Sequence, residues 1–110
     1  MEDKLEEIFS LQKGLTEMMN LDRYPNDAEV RVAALCTAMI HEAVELQRTT
    51  NWKWWKKPTE FNKLEAKEEL IDIWPFLIQA SLELELTPDD ILKEYQRKNE
   101  INRLRQKDGY

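Results

Sequence analysis

Apolar side chains recur at steps of three and four residues over most of this chain, and little interrupts the pattern. Only two glycines and four prolines occur among its 110 residues. Because an α-helix repeats every ~3.6 residues and disfavours both residue types in its interior, this spacing predicts long helices. A chain of this length supports one hydrophobic core, so we expect a single all-α domain over residues 1–110.

The periodic stretches divide the chain into four predicted helices joined by short polar segments. The expected ranges are about Asp3 to Leu21, Ala28 to Arg48 after a cap at Asn26 or Asp27, Thr59 or Asn62 to Leu86, and Thr87 to Leu104. Pro75 lies inside the third helix, where a proline removes a backbone hydrogen bond, so a bend is expected near residues 70–74. Thr87 followed by Pro88 is a strong helix start signal. Four helices with short connections are typical of a bundle.

The second predicted helix is apolar around much of its circumference, which predicts a central position in the bundle. Cys36 lies within its apolar run of residues 32–36, so we expect a buried and inert thiol. A lone cysteine also excludes an internal disulfide and a cysteine-based zinc site.

Acidic residues stand inside the two most apolar helices at a spacing of three, as Glu42 with Glu45 and Glu69 with Asp72. Side chains three residues apart lie on one face of a helix, so the two pairs could face each other. Two interpretations stay open: the acids line solvated stripes, or four carboxylates converge. Unit charges ~4 Å apart repel by about 4 kcal/mol at an effective dielectric of about 20, so a convergent set must bind protons or cations. Oxygen ligands suit Mg²⁺ or Mn²⁺, which also bind phosphate oxygens.

A di-iron centre is an alternative use of acidic residues in a helical bundle. Such centres normally need a Glu-x-x-His motif on two helices. The sole histidine, His41, is adjacent to Glu42 and cannot share its helix face. We therefore expect His41 at the surface or its boundary, outside any metal site.

The segment NWKWWKK, residues 51–57, places three tryptophans beside lysines in a chain of net charge −6. Indole rings stack on bases and lysines attract phosphates, so the segment suits an anionic aromatic small molecule. We expect one of Trp52, Trp54 and Trp55 to form a wall against a base. At least one of the others is expected to pack into the core or a dimer interface.

Charge and hydropathy bound the expected partners and location. Net acidity opposes a nucleic acid polymer as the partner. No apolar run approaches the ~20 residues that span a membrane, and the acidic N-terminus lacks the pattern of a signal peptide. We therefore expect a cytoplasmic protein without membrane contact.

The pairs Glu42-x-x-Glu45 and Glu69-x-x-Asp72 resemble those of the all-α nucleoside triphosphate pyrophosphohydrolases, the MazG-like superfamily. Within it the chain is most similar to the dimeric-type dUTPases. The matching motifs are Trp52-Lys53-Trp54-Trp55, Glu68-Glu69-Leu70-Ile71-Asp72-Ile73-Trp74, and Tyr95-x-x-Lys98-Asn99-x-x-Asn102-x-x-Arg105-Gln106-x-x-Gly109-Tyr110. The matches cover about residues 40–110, and helix propensity does not explain the terminal Gly-Tyr.

The resemblance implies a four-helix bundle that assembles as a homodimer, or as a tetramer, and hydrolyses dUTP to dUMP and diphosphate. It implies that Mg²⁺, or Mn²⁺ in its place, is held by Glu42, Glu45, Glu69 and Asp72. Glu45 is our candidate for the general base, a role that sequence does not separate from metal ligation. The implied substrate-binding residues are Gln12, Trp52, Lys53, Trp55, Lys98, Asn102, Arg105 and Tyr110.

Two positions depart from the family pattern, and both bear on the nucleoside side of the site. Thr16 stands where the pattern Gln-x-x-Leu-Asn, here beginning at Gln12, has asparagine, and Pro75 stands where the second acidic motif usually has histidine. Hydrolysis is therefore expected, while the base stays open between uracil and another, such as cytosine. A non-catalytic nucleotide-binding module is the other alternative. Residues 105–110 are expected to form a mobile tail that orders over bound phosphates.

Overall fold

Five α-helices make up the computed structural model, which describes residues 3–19 and 22–109. They are α1 (Lys4–Met18), α2 (Ala28–Gln47), α3 (Lys63–Ile71), α4 (Trp74–Glu83) and α5 (Pro88–Lys107). No strand occurs in the described ranges, so the prediction of an all-α fold is confirmed. Asn20 and Leu21, at the expected end of the first helix, lie outside those ranges. None of the helices in the described ranges combines the length and apolarity needed to cross a membrane.

Short polar side chains cap the starts of four helices, and the sequence predicts three of these caps, at Asp27, Asn62 and Thr87. Asp3 accepts from backbone N–H groups in the first turn of α1, and Asp27 does the same for α2 at 2.9 Å. Asn62 caps α3 in the same way. The Thr87 side chain accepts from the N–H of Asp90 at 3.1 Å, and Asp90 accepts from the N–H of Thr87 at 2.9 Å. Each cap satisfies an N–H that has no partner within the helix, so local sequence is enough to place these starts.

The third predicted helix is in fact two helices. α3 ends at Ile71, Asp72 is its C-cap, and α4 begins at Trp74. Pro75 lies in the first turn of α4, where its missing N–H leaves no helical hydrogen bond broken. The expected bend is confirmed, but as a break, because a new helix start accommodates the proline better than a helix interior does.

α4 ends in a reversal that places Glu85 in the left-handed region, with a φ of 60°. The N–H of Leu86 donates to the Ser81 carbonyl at 2.9 Å, and the N–H of Glu85 donates to the Leu82 carbonyl at 3.0 Å. This pair of bonds is the Schellman arrangement, in which glycine normally occupies the position of Glu85. Its Cβ therefore costs the folded state about 1 kcal/mol.

Replacing Glu85 by glycine should raise the free energy of unfolding by about 0.5 kcal/mol. Glycine adopts this φ without a steric clash, and the gain is partly offset by the greater freedom that glycine gives the unfolded chain. Urea denaturation measures the change, with Glu85→Ala as the matched control, which keeps the Cβ and should show no such gain. A lower stability for the glycine variant would mean that the glutamate side chain, not its φ, matters there.

α5 is longer than expected and ends in a glycine cap. The helix predicted to end near Leu104 continues to Lys107, so the first half of the expected mobile tail is helical. Gly109 has a φ of 81°, and its N–H donates to the Gln106 carbonyl at 3.2 Å. Glycine is favoured just after a helix because it adopts such a φ freely. The helix end therefore explains why a glycine stands at position 109. Tyr110 lies outside the described residues.

α4, rather than α2, is the central helix of the protomer. It contacts α1, α2 and α3, and it carries the four consecutive buried residues 78–81. Phe9 of α1 and Leu35 of α2 are the other buried apolar side chains within the described residues. α5 contacts only α1 among the described helices.

α2 is less buried than its composition suggests, because it packs through one stripe only. Leu35 is buried and Met39 is half-buried on that stripe. On the opposite face Val30, Ile40 and Val44 are 48%, 63% and 38% exposed. We call this exposed stripe the α2 seam, and its members, at alternating steps of three and four residues, are Val30, Ala33, Thr37, Ile40 and Val44. Such spacing is what a helix uses to pack along a second helix.

Cys36 is exposed, so the expectation of a buried thiol is wrong for the protomer. The residue lies on the flank of α2 between the packed stripe and the α2 seam, where no neighbouring helix covers it. His41 is also exposed, as expected. Both residues are exposed because neighbouring helices pack against only part of the α2 surface.

The fold is open for a chain of this size. Its radius of gyration is 17.5 Å, compared with about 13 Å for a compact domain of the same length. Its accessible surface is 9591 Å², compared with about 6,400 Å² for a compact protein of the same mass. Much of the excess is apolar, since large hydrophobic residues on every helix are more than a third exposed.

Candidate active site

Three carboxylates from two helices meet at one point of the surface. Glu42 lies on α2, Glu69 on α3 and Asp72 at the end of α3, and one oxygen of each lies within 4.8 Å of the others. Contact between α2 and α3 brings them together. Glu42 and Glu69 are half-buried and Asp72 is exposed, so the group is accessible from solvent. We call it the carboxylate cluster.

The carboxylate cluster is electrostatically unfavourable without a cation. Partial burial raises the pKa of the Glu69 carboxyl, and the negative charges of Asp72, Glu45 and Glu42 raise that pKa further. Asp72 is the C-cap of α3, where the helix dipole adds negative potential. Both effects favour a bound proton or a bound cation at this point.

The oxygen set fits a magnesium ion. Mg²⁺ takes oxygen ligands at about 2.0–2.1 Å in octahedral geometry, which puts adjacent ligand oxygens roughly 3 Å apart and opposite ones roughly 4 Å apart. The three carboxylate oxygens lie within 4.8 Å of one another, which is close to the spacing that ligands of one ion require. Three protein ligands leave coordination positions for water and phosphate oxygens.

Glu45 lies beside the carboxylate cluster rather than in it. Its carboxylate contacts the Arg48 guanidinium at 3.4 Å, one helical turn away on α2. Its charge still contributes to the raised pKa of Glu69, so the two carboxylates are within electrostatic reach. The structure thus brings together three of the four predicted ligands and leaves the fourth adjacent to them.

Without metal at about pH 7, Glu69→Gln should melt at a higher temperature than the wild type. The folded-state pKa of Glu69 is raised above its ordinary value of 4.5, so its ionisation destabilises the fold as pH rises past that value. Glutamine does not ionise, so the variant does not lose stability as the pH rises. Melting curves in EDTA should therefore show a stabilisation by the variant that disappears near pH ~4. Glu60→Gln, in the exposed loop, is the control, and an equal gain there would assign the effect to net charge alone.

Residues 51–59 form a closed, cationic loop between α2 and α3. The Asn51 side-chain amide donates to the Thr59 carbonyl at 2.8 Å, and its side-chain oxygen accepts from the Thr59 N–H at 2.9 Å. A shallow groove of about 250 Å³ follows this loop, and its cationic lining residues are Arg48, Lys53, Lys56 and Lys57. Arg48 also contacts Glu45, so the groove begins beside the carboxylate cluster.

The three tryptophans of this loop form a small exposed aromatic group. Trp55 packs edge to face against Trp52 and Trp54, with ring centroids 5.8 and 5.6 Å apart. The Lys53 ammonium lies 5.5 Å from the Trp52 ring centroid. The rings are 44%, 87% and 58% exposed in chain order, so none of them packs into the core of the described residues. The other part of the expectation, packing at a dimer interface, stays a prediction. The loop is held by Asn51 rather than by burial of its rings.

An apolar cleft of about 480 Å³ lies between α1 and the junction of α3 and α4. Trp74 and Pro75 line one side, and among the described lining residues Gln12 is the one with a polar amide side chain. Ile71 lines both this cleft and a groove of about 460 Å³ over Glu69 and Asp72, so the cleft borders the carboxylate cluster. Sequence reasoning did not predict this cleft. The available signal was a glutamine, Gln12, inside the apolar stripe of α1.

The C-terminal candidates lie apart from the cluster in the protomer. Lys98, Asn102 and Arg105 are exposed on α5. α5 contacts α1 among the described helices, and not α2 or α3, which carry the carboxylates. The fourth candidate, Tyr110, lies outside the described residues.

The model of a protein family described as dUTPase matches residues 4–88, from the start of α1 to the first residue of α5. The match includes the carboxylate cluster, the cationic loop and the apolar cleft, and it excludes the C-terminal motif. No curated protein and no solved structure has significant similarity to the chain. Since the match spans most of an all-helical chain, the chain belongs to the all-α dUTPase family, a family of enzymes that hydrolyse dUTP.

Proposed function

We propose that this protein hydrolyses dUTP to dUMP and diphosphate in a Mg²⁺-dependent reaction at the carboxylate cluster. The observation that carries the proposal is the approach of the Glu42, Glu69 and Asp72 oxygens to within 4.8 Å. The cationic loop and the apolar cleft flank that point, which suits a ligand with phosphates at one end and an aromatic base at the other. Mn²⁺ shares the ligand preference and should substitute.

The residues around the cluster have distinct roles in the proposed reaction. Bound Mg²⁺ would neutralise charge on the triphosphate and activate a water for attack on the α-phosphorus. Glu45, beside the cluster and contacted by Arg48, accepts the proton of that water. The bond from the α-phosphorus to its bridging oxygen breaks, and diphosphate leaves. Lys53 and the other loop cations stabilise the charge that develops on the leaving group.

The base is proposed to occupy the apolar cleft. Trp74 and Pro75 provide its walls, and Gln12 provides a polar side chain that can hydrogen-bond the base edge. Trp52 or Trp55 can stack from the loop side, because both rings keep exposed faces. Ile71 then lies between the base and the phosphates, which reach the carboxylate cluster.

The functional unit is proposed to be a homodimer, with a tetramer as the alternative. The protomer exposes roughly 3,000 Å² more surface than a compact protein of its mass, and stable obligate interfaces bury about 2,000–5,000 Å² in total. The α2 seam offers a mostly apolar stripe for a second copy, with Thr37 as its one polar member. Association would also let α5 of one copy reach the carboxylate cluster of the other, so Lys98, Asn102 and Arg105 could bind phosphates there.

Diphosphate release is the test of this function. The panel is dUTP, dCTP, dTTP, dATP and UTP, each with Mg²⁺ and with EDTA, beside a Glu45→Gln control. dUDP is tested in parallel by release of orthophosphate, because its hydrolysis to dUMP frees no diphosphate. We expect rapid release from dUTP that EDTA abolishes and that Glu45→Gln lowers by about a hundredfold or more. Metal-dependent release from another nucleotide would move the base assignment. Tight nucleotide binding without any release would identify a non-catalytic binding module.

A further inference from the structure

A chain of hydrogen bonds runs behind the apolar cleft and joins α1, α4 and α2. At its centre is Gln79, one of two buried polar side chains within the described residues. The Gln79 amide nitrogen donates to Glu83 Oε1 at 3.1 Å. Its carbonyl oxygen accepts from the Thr16 hydroxyl at 2.7 Å and, more weakly, from the Gln12 amide nitrogen at 3.5 Å. These contacts connect the interior of α4 to the polar amide side chain of the cleft.

The Glu83 carboxylate fixes which groups donate and which accept along this chain of hydrogen bonds. Arg31 donates to its Oε2 at 3.3 Å, and the Tyr24 hydroxyl donates to its Oε1 at 2.9 Å. A carboxylate accepts and a guanidinium only donates, so Gln79 must turn its NH₂ group towards Glu83. The Gln79 carbonyl is therefore left facing α1.

The orientation of the Gln79 amide also fixes the orientation of the Gln12 amide. Because Gln79 presents a carbonyl, the Gln12 side chain turns its NH₂ group towards it, which leaves the Gln12 carbonyl for the cleft. The Thr16 hydroxyl lies 2.7 Å from Gln79 Oε1 and 3.0 Å from the Gln12 backbone carbonyl. Thr16 thus ties this turn of α1 to the oriented end of Gln79.

We propose that Gln79, oriented by Glu83, is a positioning residue that makes the cleft select a base with an N–H at the edge facing Gln12. Uracil and thymine carry such an N–H at N3, whereas cytosine carries a lone pair at the same position. A carbonyl opposite the N–H forms a hydrogen bond, but a carbonyl opposite the lone pair leaves two desolvated acceptors unpaired. The inference rests on the proposed function, because it takes the cleft as the base subsite.

Gln79→Met tests the inference, since methionine keeps a similar volume and removes the side-chain hydrogen bonds to Glu83, Thr16 and Gln12. The Gln12 amide is then free to turn over, and the preference for dUTP over dCTP should fall. The readout is the ratio of Kd values for the non-hydrolysable α,β-imido analogues of dUTP and dCTP with Mg²⁺, measured by calorimetry on the full chain. We expect the ratio to fall by about tenfold, the worth of one net hydrogen bond.

Ser81→Ala is the matched control, because Ser81 is the other buried polar side chain of α4 and its hydroxyl donates to the Leu77 carbonyl of its own helix. It should leave the Kd ratio unchanged. An equal loss of affinity for both analogues in Gln79→Met would reduce Gln79 to a packing role and overturn the inference. Equal binding of the two analogues by the wild type would overturn it as well.

Nuclear magnetic resonance of the wild type covers the case in which Gln79→Met does not fold. With nitrogen-15 labelling, the side-chain NH₂ signals of Gln12 should shift little when dUMP is added, because that group faces Gln79. A large shift would show that the NH₂ group meets the base, and the inference would fall. Failure to bind either imido analogue would overturn the proposed function itself, whereas equal binding with diphosphate release intact overturns only the inference.

Discussion

Replacing Asp72 by asparagine will lower kcat for dUTP hydrolysis by about a thousandfold while leaving the protein folded. The substitution removes one of three converging carboxylates and keeps the shape of the side chain. An amide oxygen carries no net charge, so the site loses both affinity for Mg²⁺ and the charge balance that a metal–triphosphate requires. Initial rates of diphosphate release at saturating dUTP measure the effect.

The same variant should become more stable in EDTA, which separates a loss of function from a loss of folding. Asp72 is at the C-terminal end of α3 beside Glu42 and Glu69, and both the helix dipole and its neighbours disfavour its charge. Wild type should gain stability from Mg²⁺ at about a hundred times its Kd by about 2.7 kcal/mol, and the variant should gain little.

Asp89→Asn is the matched control for Asp72→Asn. Asp89 is in the first turn of α5, where the helix dipole favours a negative charge, so its replacement should lower the melting temperature slightly and leave kcat unchanged. If Asp72→Asn keeps more than about a tenth of the wild-type kcat, or if Mg²⁺ stabilises it as much as the wild type, the carboxylate cluster is not the metal site.

Local features of this fold were predictable because they depend on neighbouring residues only. The caps at Asp27, Asn62 and Thr87 each satisfy an N–H two or three residues ahead, and all three are confirmed. The break at Pro75 was placed correctly but expected as a bend. Whether a proline kinks one helix or starts another depends on the packing of α4, which the local sequence does not contain.

The approach of the two acidic pairs was predictable from helical spacing, but its detail was not. Spacing gives the face on which Glu42 and Glu45 lie, whereas the rotamer of each depends on its partners. Arg48, one turn beyond Glu45, contacts that carboxylate, whereas Glu42 approaches Glu69 and Asp72. A lysine or arginine three residues after a candidate ligand therefore indicates that the carboxylate can form an ion pair instead of joining a metal site.

Burial was the property least accessible from the sequence. Composition showed that α2 has apolar residues on every side, but the other helices of the chain cover only one of its faces. Cys36 is exposed for this reason. Gln79 shows the converse, since a glutamine within the apolar run of α4 is buried and gains partners from α1 that lie more than sixty residues away in sequence.

Two inactive variants should restore activity to each other when mixed, because each complete site is expected to need two copies of the chain. The first is Asp72→Asn, with defective carboxylates, and the second is Lys98→Ala/Arg105→Ala, with a defective α5. α5 contacts neither α2 nor α3 among the described helices, so we expect its cations to lie away from the carboxylate cluster of their own chain. In a two-fold dimer, a mixed pair contains one site with wild-type carboxylates and a wild-type α5.

Random exchange of equal amounts makes half of the dimers mixed, each with one intact site of two, so activity should recover to about a quarter of the wild-type value. Mixing Asp72→Asn with Glu69→Gln is the control, since both lesions fall on the same side of the site and no intact combination forms. Light scattering before and after mixing checks that dimers are present and exchange. Recovery in neither mixture, with dimers exchanging normally, would mean that α5 serves its own chain or no site at all, and the phosphates would then depend on the cationic loop of residues 51–59 alone.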